Sequence, residues 1–256
     1  MGEILVVASQ KGGVGKTTTV INLGASLAIL GKKVLLVDLD PQGSIAAGFL
    51  QEEYEIESGV FEIFVKKMPM ALAIREVGIE NMEIVPSNVK TEDQEVDLFT
   101  HALQKKLLKS VLKPLREMYD YIILDCPPNL GTLTMNGIVA ADSLLIPVQA
   151  EYYSLKSLGK FLSSIKNIGN KYNKNLKFSG ILITMFDRRL KKSREILDEL
   201  RYSFKDLVFQ TIVPRNSKVA EAPAYGKPVA LVDLSSPGAL SYLKLAEELI
   251  NKNNRI

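Results

Sequence analysis

Lys11-Gly12-Gly13-Val14-Gly15-Lys16-Thr17-Thr18 joins a short apolar segment (residues 4–9) to a segment with helical character (residues 17–30). The glycines allow a tight backbone turn that brings several N–H groups toward phosphate oxygens. The N-terminus of the following helix adds the positive end of its dipole at the same point. Lys16 supplies a full positive charge for the β- and γ-phosphates, and the Thr17 hydroxyl is placed to bind Mg²⁺. The stretch therefore predicts a P-loop.

Apolar, strand-like segments alternate with helical segments along the rest of the chain. Further buried strands are predicted at residues 34–38, 82–85, 121–125, 143–148 and 179–186. They read as continuous apolar runs, which is typical of a parallel sheet covered on both faces. We therefore expect a single-domain α/β fold of the P-loop NTPase type over residues 1–256, with a mostly parallel twisted sheet and helices on both faces.

The composition narrows the class of protein. Of 256 residues, 46% are hydrophobic and 24% are charged, as in an average globular protein, which excludes disordered and fibrous proteins. No apolar run approaches the roughly 20 residues of a membrane span, and we find no secretion signal. The single cysteine, Cys126, cannot form an internal disulfide, which fits a reducing cytoplasm. The net charge of +3 is small, so the positions of the cations matter more than their sum.

Aspartates stand at the ends of two predicted strands. Asp38 and Asp40 close the second strand, and Asp125 closes the strand at residues 121–125. Carboxylates at the carboxyl ends of parallel strands face the crevice in which ligands bind. Asp125 is expected to hold Mg²⁺ through a bound water, because Mg²⁺ keeps much of its hydration shell.

The P-loop departs from the usual G-x-x-x-x-G-K-[ST] pattern, since Gln10 replaces the first glycine and Lys11 follows it. This deviant Walker A form resembles the ParA/MinD superfamily of P-loop ATPases. The resemblance implies that Lys11 reaches across a nucleotide-sandwich homodimer to the partner's phosphates, as an arginine finger does. It further implies that Asp40 orients or activates the attacking water, and that Asp38 helps to organise Lys16 and the surroundings of Mg²⁺.

The resemblance extends to residues 145–151, 212–216 and 221–228. It implies that Pro214 and Asn216 contact the adenine of ATP. The ATP-binding set is then Lys11, Gly12, Gly13, Val14, Gly15, Lys16, Thr17, Thr18, Pro214 and Asn216. The catalytic set is Lys11, Lys16 and Asp40, and the magnesium set is Thr17, Asp125 through water, and Asp38 indirectly.

Several branches of the superfamily lack support in this sequence. The iron–sulfur members need paired cysteines, and the tyrosine kinases carry a C-terminal tyrosine cluster. This sequence has neither feature. Because the P-loop begins at Lys11, we expect no DNA-reading domain before it. A Soj-like ParA and a MinD-like protein remain. The segment 240–250 is amphipathic, but Glu247 and Glu248 oppose binding to an anionic membrane, so a core-packed final helix and no stable membrane binding are expected.

A basic segment favours the ParA branch. Residues 188–194 pack five cations into seven residues, and Arg215 and Lys218 lie further along the chain. Such charge suits sequence-independent capture of a phosphate backbone, although an ordinary basic loop is the alternative. By resemblance, Arg189 and Lys218 fall where Soj-like proteins contact DNA. The predicted DNA-binding set is Arg188, Arg189, Lys191, Lys192, Arg215 and Lys218.

A second group of lysines is interpreted differently. Lys105, Lys109 and Lys113 recur at helical i, i+4 spacing with leucines between them. This pattern is typical of the solvated face of a surface helix.

Together these features predict a cytoplasmic, nucleoid-associated, Soj-like ParA ATPase that segregates chromosome or plasmid DNA. In this hypothesis an ATP- and Mg²⁺-dependent homodimer binds double-stranded DNA without sequence preference. A ParB-type centromere-binding protein stimulates slow hydrolysis and releases the dimer. The alternatives are a MinD-like, membrane-cycling ATPase for division-site placement and a related cargo-positioning ATPase.

Overall fold

The computed structural model describes residues 1–49, 56–151 and 154–253. The strands are β1 (Glu3–Val7), β2 (Val34–Asp38), β3 (Arg75–Glu76), β4 (Met82–Val85), β5 (Tyr121–Asp125), β6 (Ser143–Gln149), β7 (Lys177–Phe186) and β8 (Val208–Pro214). The helices are α1 (Lys16–Ile29), α2 (Ser44–Ala47), α3 (Val60–Val65), α4 (Glu92–His101), α5 (Leu107–Leu112), α6 (Thr132–Ala140), α7 (Ser154–Tyr172), α8 (Lys191–Phe204), α9 (Ser217–Glu221), α10 (Val229–Val232) and α11 (Pro237–Asn253).

Within these residues the strands form one eight-stranded sheet in the order β3-β4-β2-β5-β1-β6-β7-β8. Neighbouring strands are parallel, except that β3 runs antiparallel to β4 at one edge. The chain leaves β1 toward β2 on one side and later returns to β6 on the other. A ligand crevice forms at the carboxyl ends of the strands where such a reversal occurs, and the loop after β1 opens into it.

Helices cover both faces of the sheet, which confirms the predicted architecture. Leu5 and Val7 of β1 belong to the core shared with α1 and α11. Ile4 and Val6 belong to the core shared with helices α4 to α8. Because successive side chains of a strand point to opposite faces, burial on both faces requires the continuous apolar run that the sequence shows.

Helix α1 is buried along most of its length and packs closely on the sheet. A Cβ atom at Gly24 would come within 2.7 Å of a Leu36 methyl group, so this position needs glycine for the close approach. The helix ends before Gly31, whose φ of +78° is in the left-handed region that glycine favours. The direction of α1, and with it the P-loop, is therefore set by core packing.

The predicted strands at residues 34–38, 82–85 and 121–125 coincide with β2, β4 and β5. The first strand was predicted at residues 4–9, so the prediction begins one residue late and ends two residues late, because residues 8 and 9 already belong to the loop. It also omitted β3 and β8. The first has two residues, and the second is an edge strand with exposed and half-buried residues inside it, so neither shows a continuous apolar run.

The predicted core-packed final helix is confirmed. Tyr242, Leu245 and Leu249 of α11 are buried against α1 and the sheet. The Glu248 carboxylate accepts hydrogen bonds from the backbone N–H groups of Gln210 and Thr211 on edge strand β8, both at 2.9 Å. Glu248 therefore has a structural role, since it links α11 to the edge of the sheet. No helix in the described ranges has the length and apolar character to cross a bilayer.

The predicted surface helix that carries Lys105, Lys109 and Lys113 is divided. Helix α5 ends at Leu112, and Lys113 begins a 3₁₀ turn in which Pro114 cannot donate a helical hydrogen bond. Lys109 and Lys113 are nevertheless exposed, as predicted.

Candidate nucleotide-binding site

The glycine-rich loop lies at the carboxyl edge of the sheet, between β1 and α1. Gly13 and Gly15 have φ angles of +71° and +85°, where an L-residue with a side chain is strained. A Cβ atom at Gly13 would meet no other atom within 4 Å, so the space above the loop is open. The loop thus leads the backbone into the N-terminus of α1, where free N–H groups and the helix dipole attract an anion.

Two polar residues from neighbouring strands hold the carbonyl groups of this loop. The Gln149 side-chain amide donates to the Gly13 carbonyl oxygen at 3.0 Å. The Thr184 hydroxyl donates to the Val14 carbonyl oxygen at 2.8 Å. Since these contacts fix the carbonyl groups, they help to keep the loop in one shape. Sequence analysis did not single out either residue, although Thr184 is a polar residue inside an apolar strand.

Of the two lysines of the P-loop, Lys16 is the buried one. Lys16 is only 8% exposed, whereas Thr17 and Thr18 are half-buried. Together with Gly12, these residues occupy the loop and first turn assigned to phosphate binding in the sequence.

Asp38 and Asp125 face each other across the adjacent strands β2 and β5 and are fully buried. Burial, reinforced by the negative charge of Asp125, raises the pKa of Asp38 well above its ordinary value. The Asp38 carboxylate accepts hydrogen bonds from the N–H groups of Ile45 (2.9 Å) and Asp40 (3.1 Å). Asp38 therefore shapes the Asp40 loop and caps the short helix α2.

Asp125 has a different environment. Neither of its carboxylate oxygens has a hydrogen-bond partner within normal bonding geometry in the described residues, although both are buried. Burial raises the pKa of Asp125 to about 7, while the Thr17 hydroxyl and the Lys16 ammonium counteract this rise. A buried carboxylate without a partner is costly, and a bound cation would satisfy it.

The donor set fits Mg²⁺ held together with a nucleotide. The described residues form no group of three or more His, Cys, Asp or Glu side chains able to enclose a metal by themselves. Mg²⁺ beside a nucleotide needs few protein ligands, because phosphate oxygens and waters complete its coordination. The hydroxyl of Thr17 and the unsatisfied carboxylate of Asp125 are oxygen ligands of the required kind.

Asp40 is half-buried at the rim of the crevice. Its Oδ1 atom accepts a hydrogen bond from the Gln42 N–H group at 3.1 Å, which orients the carboxylate. The negative charge of Asp40 contributes to the raised pKa of Asp125, so the two carboxylates share one electrostatic environment.

Lys11 lies outside the buried part of the loop. Its side chain is 54% exposed, and its Nζ atom forms an ion pair with Glu151, which follows β6. The structure therefore holds the distinctive lysine of the loop within its own subunit. Sequence analysis noted Glu151 only as part of a family-like segment and did not predict the pair.

A cavity of about 380 Å³ lies beside the P-loop. Thr18 and Asn22 line it on one side, and Val219 and Lys227 line it on the other. Pro214 and Asn216 are not among its lining residues. Asn216 instead caps α9, because its side chain accepts a hydrogen bond from the Val219 N–H group at 3.3 Å. Asn216 thus positions the wall of the cavity.

Two of the predicted DNA-binding residues, Arg189 and Arg215, are brought together by adjacent strands. β7 and β8 pair so that Phe186 lies opposite Pro214, which places Arg215 beside the segment that follows β7. Arg188 and Arg189 are in that segment, Lys191 and Lys192 begin α8, and Lys218 is in α9. Arg189 and Arg215 line the same cavity of about 350 Å³, next to Glu151.

Cys126 is fully buried and is a small residue of the core. Burial raises the pKa of its thiol, so the thiol stays protonated and is a poor nucleophile.

Comparison with known proteins shows what the chain is similar to. Residues 2–178 match a family model described as an AAA domain. The chain is 42% identical over 249 residues to "Sporulation initiation inhibitor protein Soj" of Bacillus subtilis (strain 168), covering 97% of this chain and 98% of that protein. It is 39% identical to "Chromosome-partitioning ATPase Soj" of Treponema pallidum (strain Nichols), with full coverage of both.

Among solved structures, cobyrinic acid a,c-diamide synthase from Mycobacterium smegmatis with bound ADP and magnesium superposes with a TM-score of 0.82. The two chains are 32% identical, and the match covers 99% of this chain and 96% of the other. The similarity thus extends well beyond the P-loop.

Proposed function

The chain belongs to the ParA/MinD superfamily and is a ParA-like partitioning ATPase; from this premise we propose that ATP switches it between a monomer and a DNA-binding homodimer. The observation that carries the nucleotide site is the unsatisfied Asp125 carboxylate, buried beside Lys16 and Thr17 at the mouth of the P-loop. A buried negative charge at this position is stabilised by a cation that arrives with the nucleotide.

The residues of the site have different roles in phosphoryl transfer from ATP to water. Backbone N–H groups of the P-loop and the N-terminus of α1 bind the phosphates, and Lys16 balances their charge. Thr17 and Asp125 would hold Mg²⁺, and the ion would supply positive charge to neutralise the phosphates. Asp40, fixed by the Gln42 N–H group, orients the attacking water. Asp38 supports Asp40 through its backbone.

Lys11 connects the nucleotide to dimerisation. Its ammonium is bound to Glu151 within the subunit, and both side chains are about half exposed. An exposed ion pair of this kind contributes at most about 1 kcal/mol, so exchange for the phosphates of a facing subunit is energetically accessible. Because the phosphates carry more negative charge than one carboxylate, ATP favours the exchanged state.

The ATP-bound dimer then holds double-stranded DNA through exposed cations that include Arg188, Arg189, Lys191, Lys192, Arg215 and Lys218. These cations contact phosphates and do not read bases, so the binding is independent of sequence. A ParB-type, centromere-bound partner stimulates hydrolysis and returns the protein to the monomer. The same cycle places the protein on the nucleoid.

The experiment is sedimentation of the Asp40→Ala variant with plasmid DNA and, separately, with anionic liposomes, in ATP, in ADP and without nucleotide. We expect DNA binding in ATP alone, and no binding to liposomes. The Lys11→Ala variant is the matched control, since it should bind ATP but neither dimerise nor bind DNA.

Binding to liposomes without binding to DNA would contradict the proposal and support the MinD-like alternative. The buried apolar face of α11 argues against that alternative, because an amphipathic membrane helix needs this face free.

A further inference from the structure

Two groups of cations lie outside the P-loop, and they differ in how their charge is balanced. In the group after β7, some of the cations are paired with nearby acids. Arg189 binds Asp187 (2.7 Å) and Lys192 binds Glu195 (3.1 Å). The Arg189 guanidinium lowers the pKa of Asp187 to about 2, so this acid is charged at neutral pH. Much of the positive charge of this region is therefore compensated locally.

The second group lies on or next to α7 and α5, and the contact between Lys105 and Tyr172 connects the two. Residues 154–186 contain six lysines and no acidic residue. Lys160 and Lys171 lie on the exposed face of α7, with the exposed Asn167 between them. The opposite face of the helix carries Phe161 and Ile165, which are buried. Since α7 uses its apolar face for the core, only charged and polar groups are left for a partner.

The segment that leads into α5 adds a lysine at the end of α7. The Lys105 Nζ atom lies 3.1 Å from the Tyr172 hydroxyl and 4.6 Å from the centre of its ring. The Lys171 Nζ atom lies 5.3 Å from the same ring centre. Both ammonium groups lower the pKa of Tyr172, with the Lys105 hydrogen bond as the larger cause. The ammonium groups of Lys105 and Lys171 therefore both lie next to the uncharged Tyr172 side chain and not next to a carboxylate of the described residues.

We define the α5–α7 basic face as Lys105, Lys106, Lys109, Lys160, Lys171 and Lys174. None of these six takes part in an ion pair with a carboxylate in the described ranges 1–49, 56–151 and 154–253. For Lys105 and Lys109, the sequence pattern predicts an ordinary solvated face. In the described residues, the α5–α7 basic face therefore combines six lysines with no ion-paired acid.

Two buried asparagines hold the face rigid. Asn136 of α6 donates to the Ala102 carbonyl oxygen (2.7 Å) and accepts from the Leu108 N–H group (3.2 Å), which fixes α5. Asn173 donates to the carbonyl oxygens of Ile138 (2.9 Å) and Ala141 (2.7 Å), which fixes the end of α7. Because α5 and α7 are both tied to α6, the lysines need little rearrangement to bind a ligand.

We propose that the α5–α7 basic face is a second contact surface for the phosphate backbone of double-stranded DNA, separate from the group after β7. This inference rests on the proposed DNA-binding function. Lys160 and Lys171 are separated by about 16 Å along the helix axis, at a rise of about 1.5 Å per residue. A duplex carries one charge per about 1.7 Å of axis, so this length faces about ten phosphates.

DNA fits this face better than other polyanions do. A membrane would be bound by an amphipathic helix with its apolar residues free, but those of α7 are in the core. A protein interface centres on buried aromatic or apolar anchors, and the exposed stripe of α7 offers charged and amide side chains. Evenly spread positive charge matches a phosphate backbone.

The test compares two double variants with equal changes of charge. Lys160→Gln/Lys171→Gln removes two cations of the face, and glutamine keeps helix propensity similar to that of lysine. Lys33→Gln/Lys90→Gln removes two exposed cations elsewhere and is the control. Binding to a 24-base-pair duplex of arbitrary sequence is measured by fluorescence anisotropy with a slowly hydrolysed ATP analogue and Mg²⁺, from 50 to 300 mM KCl. Basal ATPase activity, unchanged in all variants, shows that each protein is folded.

We expect affinity at 100 mM KCl to fall about tenfold in Lys160→Gln/Lys171→Gln and less than twofold in the control. The slope of log affinity against log salt should decrease by about 2 per subunit, since each lost phosphate contact lowers it by about 0.9. Equal affinity and slope in the two double variants would overturn this inference and leave the proposed function intact.

Failure of the unaltered protein to bind DNA in any nucleotide would overturn both proposals, so the two failures are distinguishable. Vesicles of phosphatidylglycerol form a second arm of the test. Vesicle binding that requires Lys160 and Lys171, with DNA binding unchanged in the variant, would assign the face to a membrane and overturn the inference.

Discussion

Asp125 and Asp142 lie at opposite ends of the same sheet, and their carboxylates have opposite surroundings. Asp125, at the carboxyl end of β5, is buried without a hydrogen-bond partner in the described residues. Asp142, just before β6, accepts hydrogen bonds from the Ile4 N–H group (2.9 Å) and the Arg116 guanidinium (2.6 Å). Satisfied charge at the amino end stabilises the fold, whereas unsatisfied charge at the carboxyl end is available for a ligand.

Other polar residues follow the same division. At the amino end, Glu3 accepts hydrogen bonds from Ser143 and Asn253, which joins the first strand to the last helix. At the carboxyl end, Lys16 is buried next to open space above Gly13. The comparison therefore separates residues that hold the sheet together from residues that bind nucleotide, and variants at the two ends test it.

Lys16→Ala should have the largest effect. It deletes the buried cation of the P-loop, so we expect ATP affinity to fall by at least about 100-fold, since about 3 kcal/mol or more of charge-assisted contact is lost. The thermal midpoint without ligand should also fall at neutral pH, because the Lys16 ammonium favours the charged form of the buried Asp125 carboxylate. Isothermal titration calorimetry measures the affinity, and an unchanged value would contradict the assigned role.

Asp40→Ala should separate binding from chemistry. Without the carboxylate that orients water, we expect hydrolysis to fall by about 100-fold, a typical effect for a positioned acid–base group. ATP affinity should stay within a few-fold, since Asp40 is at the rim and does not bind phosphate. Phosphate release and calorimetry on the same sample measure the two quantities, and normal turnover would exclude Asp40 as the group that positions water.

Asp125→Asn should stabilise the nucleotide-free protein. The pKa of Asp125 is raised to about 7 by burial, so ionisation above the unfolded value costs folding free energy. This cost is absent below about pH 4 and grows up to about pH 7, so stability falls as pH rises through this window. We expect a gain of about 2 kcal/mol at pH 8 and none near pH 4.

Urea unfolding at both pH values measures this effect. The same variant should lose Mg²⁺-dependent stabilisation by ATP, so its advantage should disappear with Mg²⁺ and ATP present. A loss of stability at pH 8 without ligand would show that Asp125 is a structural group like Asp142.

Asp142→Asn should show the smallest effect, with the opposite sign. It weakens the charge-assisted bond from Arg116, and because both groups are partly exposed we expect a loss of about 1 kcal/mol. ATP affinity and hydrolysis should be unchanged, since the residue is at the far end of the sheet. Altered ATP binding in a folded variant would contradict the assignment of the amino end of the sheet to stability and of the carboxyl end to nucleotide binding.

Much of the site was predictable because its chemistry is local in sequence. The run of residues 11–18 contains its own turn, cation and hydroxyl, and it follows a recognisable strand. Asp38 and Asp125 end apolar runs that can only be buried strands, so their meeting at one edge followed from the parallel sheet. The edge strand β8 and the division of the segment near Pro114 escaped prediction, since edges and turns depend on packing.

The P-loop, the alternation of most strands and helices, and the membership of the superfamily could be read from the amino-acid sequence. These depend on backbone conformation, hydrophobic periodicity and short motifs, which neighbouring residues specify. The pairing of charges depends on the tertiary structure. Lys11 forms an ion pair with Glu151 and Arg189 with Asp187, whereas the lysines of α7 form no ion pair in the described residues. Electrostatic energy depends on distance in space, and the fold brings together charged groups such as Lys11 and Glu151, which are 140 residues apart in sequence.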